Sequence, residues 1–236
     1  LVIAGCGAGA FGMGKLDWQW RSLAVTGDFT ERTESFSLED VDTLSIDSDN
    51  LSLTIASTEE EARIVFSDCV DLPKTFSYEG GVLKLDSGKW STSFWENIRT
   101  TWTRGVFFSA VMSAYNRATL YLPASYTGSL TVDVQNGQLS MADISLGNAE
   151  FVSSNGYISV KNGSFGNVTV RTDNGYIKLE NVTAKSVVAE TDNGYVRLNE
   201  VSADTLDANT DNGAISLSRV FGSALRFRSG NGSVNG

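Results

Sequence analysis

Residues 172–213 read TDNGYIKLENVTAKSVVAETDNGYVRLNEVSADTLDANTDNG. Thr-Asp-Asn-Gly stands at 172–175, at 191–194 and again at 210–213. Asn-Gly alone recurs more widely, as Asn136-Gly137, Asn155-Gly156, Asn174-Gly175, Asn193-Gly194, Asn212-Gly213 and Asn231-Gly232, and every interval is 19 residues. A fixed period of this length is the signature of a repeat architecture.

Aligned on Asn-Gly, the other positions are equally regular. Two residues beyond Gly stand Leu139, Ile158, Ile177, Val196, Ile215 and Val234, and two further on Met141, Val160, Leu179, Leu198 and Leu217. Alternation of period two marks a strand with one buried face. A third apolar column, Ile144, Val182, Val201 and Val220, is interrupted by Gly163. A second alternating run follows at Ala149, Val168, Val187, Leu206 and Leu225, then at Phe151, Val170, Ala189, Ala208 and Phe227. Ser153, Thr172, Thr191, Thr210 and Ser229 lead back to the turn. One unit is therefore strand, bend, strand, turn. At ~3.3 Å per residue it makes one flattened circuit. A lone circuit cannot bury its apolar face, but circuits stacked ~4.8 Å apart share a core. The spacing predicts an all-β chain, a single-chain β-solenoid or β-roll of 19-residue circuits joined by parallel ladders. Asn-Gly is expected at the turn because it adopts φ > 0 readily. Stacked Asn side chains are expected to hydrogen-bond to one another or to neighbouring backbone. Leucine-rich repeats have a similar period but need a Leu-rich consensus that is absent here.

Residues 23–135 are less regular but also strand-like. DTLSIDSDNLSLTIAS and ARIVFSD alternate, and FSYEGGVLKLDS places Gly-Gly between two strands. They read as irregular early circuits of the same solenoid. Residues 88–116, GKWSTSFWENIRTTWTRGVFFSAVMSAYN, break the pattern. This aromatic-rich insertion either caps the core or offers Trp90, Trp95 and Trp102 as a contact surface for a glycan, lipid or protein. Residues 136–236 are the regular repeats, and SGNGSVNG opens a further circuit and stops inside it, so more circuits are expected beyond it.

The first 14 residues, LVIAGCGAGAFGMG, are apolar or small. As a helix they span about 21 Å, less than the ~30 Å hydrocarbon core. Three readings stand for residues 1–22. They are the outer end of a truncated transmembrane helix or signal anchor, with Trp18 and Trp20 at the interface; a lipobox, IAGC, with Cys6 lipidated; or an apolar segment packed in the fold. The first two place the domain outside the cytoplasm, on the cell membrane.

Composition excludes several classes. With 28 acidic and 18 basic side chains the net charge is −10, which disfavours nucleic acid and anionic lipid as partners. There is no histidine, which removes imidazole-dependent catalysis and metal sites. Cys6 and Cys69 imply no disulfide framework, and Cys69 reads as a buried small hydrophobe. No catalytic, cofactor-binding or metal-binding residues emerge.

LYLPASYTGSLTVDVQNGQLSM, followed by units of the form TDNGYIKLENV, resembles the bacterial putative-adhesin family of β-strand-repeat domains of unknown function, related to head-GIN-type adhesin domains. The resemblance covers residues 40–236 and includes SIDSDNLSLTI and VLKLDSGKW. It implies an extracytoplasmic cell-envelope β-solenoid and supplies no catalytic residues.

Two exposed columns are candidates for chemistry. Tyr157, Tyr176 and Tyr195 follow Gly directly and by alternation face outward. They form either a platform on which sugar faces stack or a self-stacking ladder that stabilises the sheet. Asp173, Asp192 and Asp211 precede Asn; they are solvated turn residues or, with cations between them, calcium bridges, although the nonapeptide spacing of calcium-binding rolls is missing. The function expected is a non-enzymatic adhesin or binding scaffold for an envelope protein or cell-wall glycan. The alternatives are the ectodomain of an envelope-stress sensor and, less favoured, a polysaccharide-acting enzyme.

Overall fold

The computed structural model describes residues 29–69, 73–86 and 115–236. The expected anchor segment at 1–22, Cys6, the side chain of Cys69, and Trp90, Trp95 and Trp102 with nearly all of the insertion lie outside the described residues.

The described chain is all-β and solenoid-like. Its regular part comprises β8 (Ser129–Asn136), β9 (Leu139–Ala142), β10 (Leu146–Asn193), β11 (Val196–Asn212), β12 (Ile215–Phe221), β13 (Ala224–Ser229) and β14 (Val234–Asn235). Every ladder among these is parallel and offset by 19 residues: Leu139 faces Ile158, Ile177 faces Val196, Val196 faces Ile215, and Leu206 faces Leu225. β10 runs unbroken for 48 residues, through more than two circuits, so the corners barely interrupt the extended backbone. The predicted columns line one interior. Ile158, Ile177, Val196, Val160, Leu179, Leu198, Val170 and Ala189 are buried completely or nearly so. Gly163, the gap in the third column, is filled from its own circuit. A Cβ there would stand 2.4 Å from the ring of Phe165. Phe165 is itself buried, in the column that carries Leu146, Ala184 and Ala203 in other circuits.

The Asn-Gly corner works differently from the expectation. Of the six glycines only Gly137 has positive φ, at 151°. Gly is needed there for closeness: a Cβ on Gly156, Gly175, Gly194, Gly213 or Gly232 would stand 1.7–1.9 Å from the carbonyl oxygen of the Gly one circuit earlier. Left-handed backbone sits at another corner, in the 19-residue column Asp143, Asn162, Asn181, Glu200 and Arg219, with φ of 51–60°.

The irregular region contains one circuit in register with the repeats. β2 (Thr43–Asn50) pairs in parallel with β8, and β3 (Ser52–Thr58) with β9, each 86 residues apart. Below it β6 (Val82–Asp86) and β7 (Arg117–Pro123) lie parallel to β2 and β3. The insertion between them therefore leaves from the corner that later carries Asn-Gly. Antiparallel strands then finish this end: β4 (Arg63–Cys69) on β7, β1 (Phe29–Ser35) on β4, and β5 (Thr75–Glu79) on β6. β5 and β6 form the expected hairpin, through Gly80 (φ 57°) and Gly81 (φ 81°), the two-residue turn that demands positive φ at both positions. Antiparallel strands cover an edge that would otherwise offer an open parallel template.

Closeness and φ make opposite demands, which substitution separates. Gly175→Ala is expected to destabilise by about 1–3 kcal/mol through overpacking, and Gly175→Asn by no less, although Asn tolerates left-handed backbone. Recovery of the denaturation midpoint by Asn would restore the φ explanation. Glu200→Asn, at a left-handed position, is expected to stabilise by roughly 0.5–1 kcal/mol in the same assay, because Asn is at ease there and Glu is not.

Candidate functional site

The Asn-Gly corner builds a continuous edge from three lanes. The middle lane is a carboxamide ladder in which each Asn Nδ2 donates to the Oδ1 one circuit earlier. Asn155 bonds to Asn136 at 3.0 Å, Asn174 to Asn155 at 3.1 Å, Asn193 to Asn174 at 3.0 Å, Asn212 to Asn193 at 2.9 Å and Asn231 to Asn212 at 2.9 Å. Asn136 bonds on to Asn50 at 3.2 Å. Asn50 escapes the sequence motif because Leu51 follows it where the repeats carry Gly. A carboxamide has two donor hydrogens and two acceptor lone pairs. The ladder uses one of each per rung and leaves the others toward solvent.

Behind the ladder the hydroxyl column turns inward. Thr172, Thr191 and Thr210 are buried. Thr191 Oγ1 donates to the Gly175 carbonyl (3.4 Å), Thr210 Oγ1 to Gly194 (3.1 Å) and Ser229 Oγ to Gly213 (2.8 Å). These bonds satisfy the carbonyls that exclude a Cβ from the glycines above. On one flank of the ladder Asp173, Asp192 and Asp211 are exposed. No group of three or more Cys, Asp or Glu among the described residues is arranged to hold a metal.

The other flank is the tyrosine lane. Tyr157 and Tyr176 are half-buried and stack on each other, with centroids 5.3 Å apart and planes 9° apart. Tyr195 departs from the stack. Its ring is 6.5 Å from Tyr176, tilted by 50°, and 60% exposed. The next residue in the column is Ala214, too small to cover it. The lane is thus both things the sequence allowed, a self-stacked pair and one open aromatic face. Two residues further along the strands runs the column Ser159, Lys178, Arg197, Ser216. Glu180 Oε2 forms ion pairs with Lys178 Nζ at 2.5 Å and with Lys161 Nζ at 3.6 Å. The Glu180 contact raises the pKa of Lys178, and Lys178 in turn lowers that of Glu180, so both stay charged at neutral pH.

A second cluster, missed in the sequence, sits in the antiparallel end. Lys74 is buried. Its Nζ donates to the Tyr115 carbonyl and lies 4.2 Å from the Tyr115 ring centroid and 5.8 Å from that of Phe66. Its backbone N–H donates to Asp68 Oδ1 at 2.8 Å. Burial lowers the Lys74 pKa to about 8, against the opposing pull of Asp68. A lysine so shifted can serve as a nucleophile. Here the amine is committed to a carbonyl and walled by rings. A shallow groove of about 550 Å³ lies elsewhere, between Phe36, Leu38, Glu61 and Tyr126. Lys74 is a tie between the end strands and the chain emerging from the insertion.

The profile of the Toastrack DUF4097 family matches residues 41–220. The chain belongs to this family. No curated protein matches it. Among solved structures, a putative adhesin from Bacteroides fragilis is 11% identical with a TM-score of 0.52, over 88% of this chain and 96% of that one. A putative adhesin from Parabacteroides distasonis is 10% identical, with a TM-score of 0.47 over 89% and 98%. A putative cell adhesion protein from Clostridium sporogenes is 10% identical, with a TM-score of 0.39 over 88% and 98%. At these identities the likeness is one of fold, and only the first score carries even that. The adhesin-type family resemblance read from TDNGYIKLENV and its neighbours holds. The Toastrack match begins just before β2, so it takes in the in-register first circuit as well as the repeats. No helix among the described residues is long and apolar enough to cross a membrane.

The Lys74 tie makes stability depend on pH. Its folded pKa lies below the unfolded value, so the folded state gives up the proton first. The penalty of burying the ammonium is present below pH 8 and is relieved between about pH 8 and 10.5. Unfolding free energy is expected to rise by roughly 1–2 kcal/mol from pH 7 to pH 9.5. In Lys74→Met that rise is expected to vanish; urea titrations at the two pH values check it.

Proposed function

We propose that the protein is a non-enzymatic binding scaffold of the bacterial cell envelope, and that its ligand is a cell-wall glycan docked along the tyrosine flank of the Asn edge. The domain lies outside the cytoplasm in this reading, held to the membrane through residues 1–22 as a single-pass or lipid anchor. The observation that carries the reading is the Tyr195 ring, 60% exposed and tilted off the stack, fixed at the edge of a rigid sheet. A large aromatic face left open beside unused amide donors suits a pyranose ring, which presents an apolar face and a rim of hydroxyls. The repeats extend that surface, so a polymer can gather many weak contacts. What favours binding over turnover is the exposure of the edge, with its Asn ladder and Tyr195 open to solvent, whereas ligand-transforming sites are concave and largely apolar.

The test is retention on purified cell walls. The triple substitution Tyr157→Ser, Tyr176→Ser, Tyr195→Ser is expected to weaken retention at least tenfold, a change of about 1.4 kcal/mol. Circular dichroism should report an unchanged sheet. Undiminished retention by the folded triple variant would remove the tyrosine lane as the site.

A further inference from the structure

The column beside the tyrosines breaks a rule that most charged columns of the repeats keep. Parallel in-register stacking places each charged side chain directly above its counterpart, where like charges repel. Most charged columns of the repeats therefore alternate sign, the Asp173, Asp192 and Asp211 column excepted. Lys161 stands under Glu180, Arg171 under Glu190, Glu200 under Arg219 and Asp207 under Arg226, all paired at 2.6–3.6 Å. Lys178 and Arg197 instead face each other cation on cation. Lys178 has Glu180, which it shares with Lys161. Arg197 is exposed, has Ser216 on its far side, and makes no ion pair among the described residues. In a chain of net charge −10, this patch sets three cations against one carboxylate. It lies two residues along the strands from the open ring of Tyr195, roughly 6.6 Å at Cα, on the same face. Directly under Lys178 in the column, Ser159 is 3% exposed and its hydroxyl has no partner among the described residues.

We infer that this surface is selective for acidic polysaccharide, with a uronate ring stacked on Tyr195 and its carboxylate held by the Arg197 guanidinium. The inference rests on the glycan-binding reading above and narrows it. The guanidinium fork matches a carboxylate in two parallel hydrogen bonds. A uronate carries that carboxylate on the ring that stacks, so one residue of polymer engages both groups at once. Lys178 continues the column one circuit earlier, which gives the polymer a direction along the ladder. Asp173, Asp192 and Asp211 lie across the Asn ladder and confine an anionic chain to the tyrosine side.

The experiment titrates the full chain with polygalacturonate, with the same polymer methyl-esterified, and with poly(glycerol phosphate), by calorimetry at 50 and 500 mM salt. Polygalacturonate is expected to bind at least tenfold tighter than its ester, and to weaken with salt. Arg197→Gln is expected to erase the difference between acid and ester while keeping the wild-type melting temperature, and Arg197→Lys to restore part of it. Tyr195→Ser is expected to weaken both forms. Equal binding of acid and ester overturns the inference but leaves the glycan reading standing. Equal binding of poly(glycerol phosphate) and polygalacturonate overturns it in favour of charge alone. Binding of none of the three overturns it as well, and cell-wall retention then decides separately whether any glycan is bound.

Discussion

Stacking in parallel, in register and every 19 residues means that each side chain meets its own column above and below. Only residue types that tolerate themselves can fill such a column. Aliphatic side chains do so in the interior, where Ile158, Ile177 and Val196 lie one over the next. Asn does so at the corner because a carboxamide donates and accepts in equal number. Tyr does so by stacking, and charges by alternating. Gly does so at the tightest point, since its own carbonyl is what leaves no room for a Cβ on the next circuit. These are one constraint expressed in five chemistries. It explains why the sequence is so regular at the Asn-Gly corner and in the buried columns.

Much of this was legible in the sequence because a self-stacking column repeats its residue type. The period, the buried columns and the Gly-Gly hairpin could all be read directly. The role of Gly at the corner could not, because closeness and positive φ select the same residue. The left-handed corner stayed hidden for the opposite reason. Its column runs Asp, Asn, Asn, Glu, Arg, and neither Glu200 nor Arg219 advertises positive φ. Asn50 was hidden because Leu51 stands where Gly follows in the repeats, and because 86 residues separate it from its partner. Antiparallel β1 and β4 join through long-range pairing that no local spacing encodes. The tyrosine column was plain, but the tilt that opens Tyr195 depends on Ala214 in the following circuit.

The two ends of the described stack show the same constraint at its limits. Parallel circuits cannot close on themselves, so the first end changes strand direction, through β4 and β5, and ties the result with the Lys74 amine on the Tyr115 carbonyl. A buried lysine is a costly tie, and its lowered pKa is the measure of that cost. It joins β5 to the segment returning from the insertion, the place where a 19-residue circuit has been opened to admit a much longer connection. The fold thus places a buried charge where the repeat is broken, and none among the described residues where the repeat is intact.

Departures from self-tolerance therefore locate the parts of the surface that stability alone does not account for. In the repeats there are two: the carboxylates of Asp173, Asp192 and Asp211 on one flank of the Asn ladder, and Lys178 with Arg197 on the other. Each costs repulsion that a single change of sign would relieve, as it is relieved at Glu200 and Arg219. Local rules broken without structural gain are characteristic of functional surfaces. The two strips have opposite sign and run side by side along one edge, so the edge carries a field across its width as well as a ladder along its length. The proposed ligand, anionic on one side and hydroxylated on the other, would meet both strips in one orientation about its long axis. That asymmetry distinguishes this edge from the evenly mixed flat faces, where alternating charges cancel within a circuit or two and leave no preferred orientation for anything that lies across them.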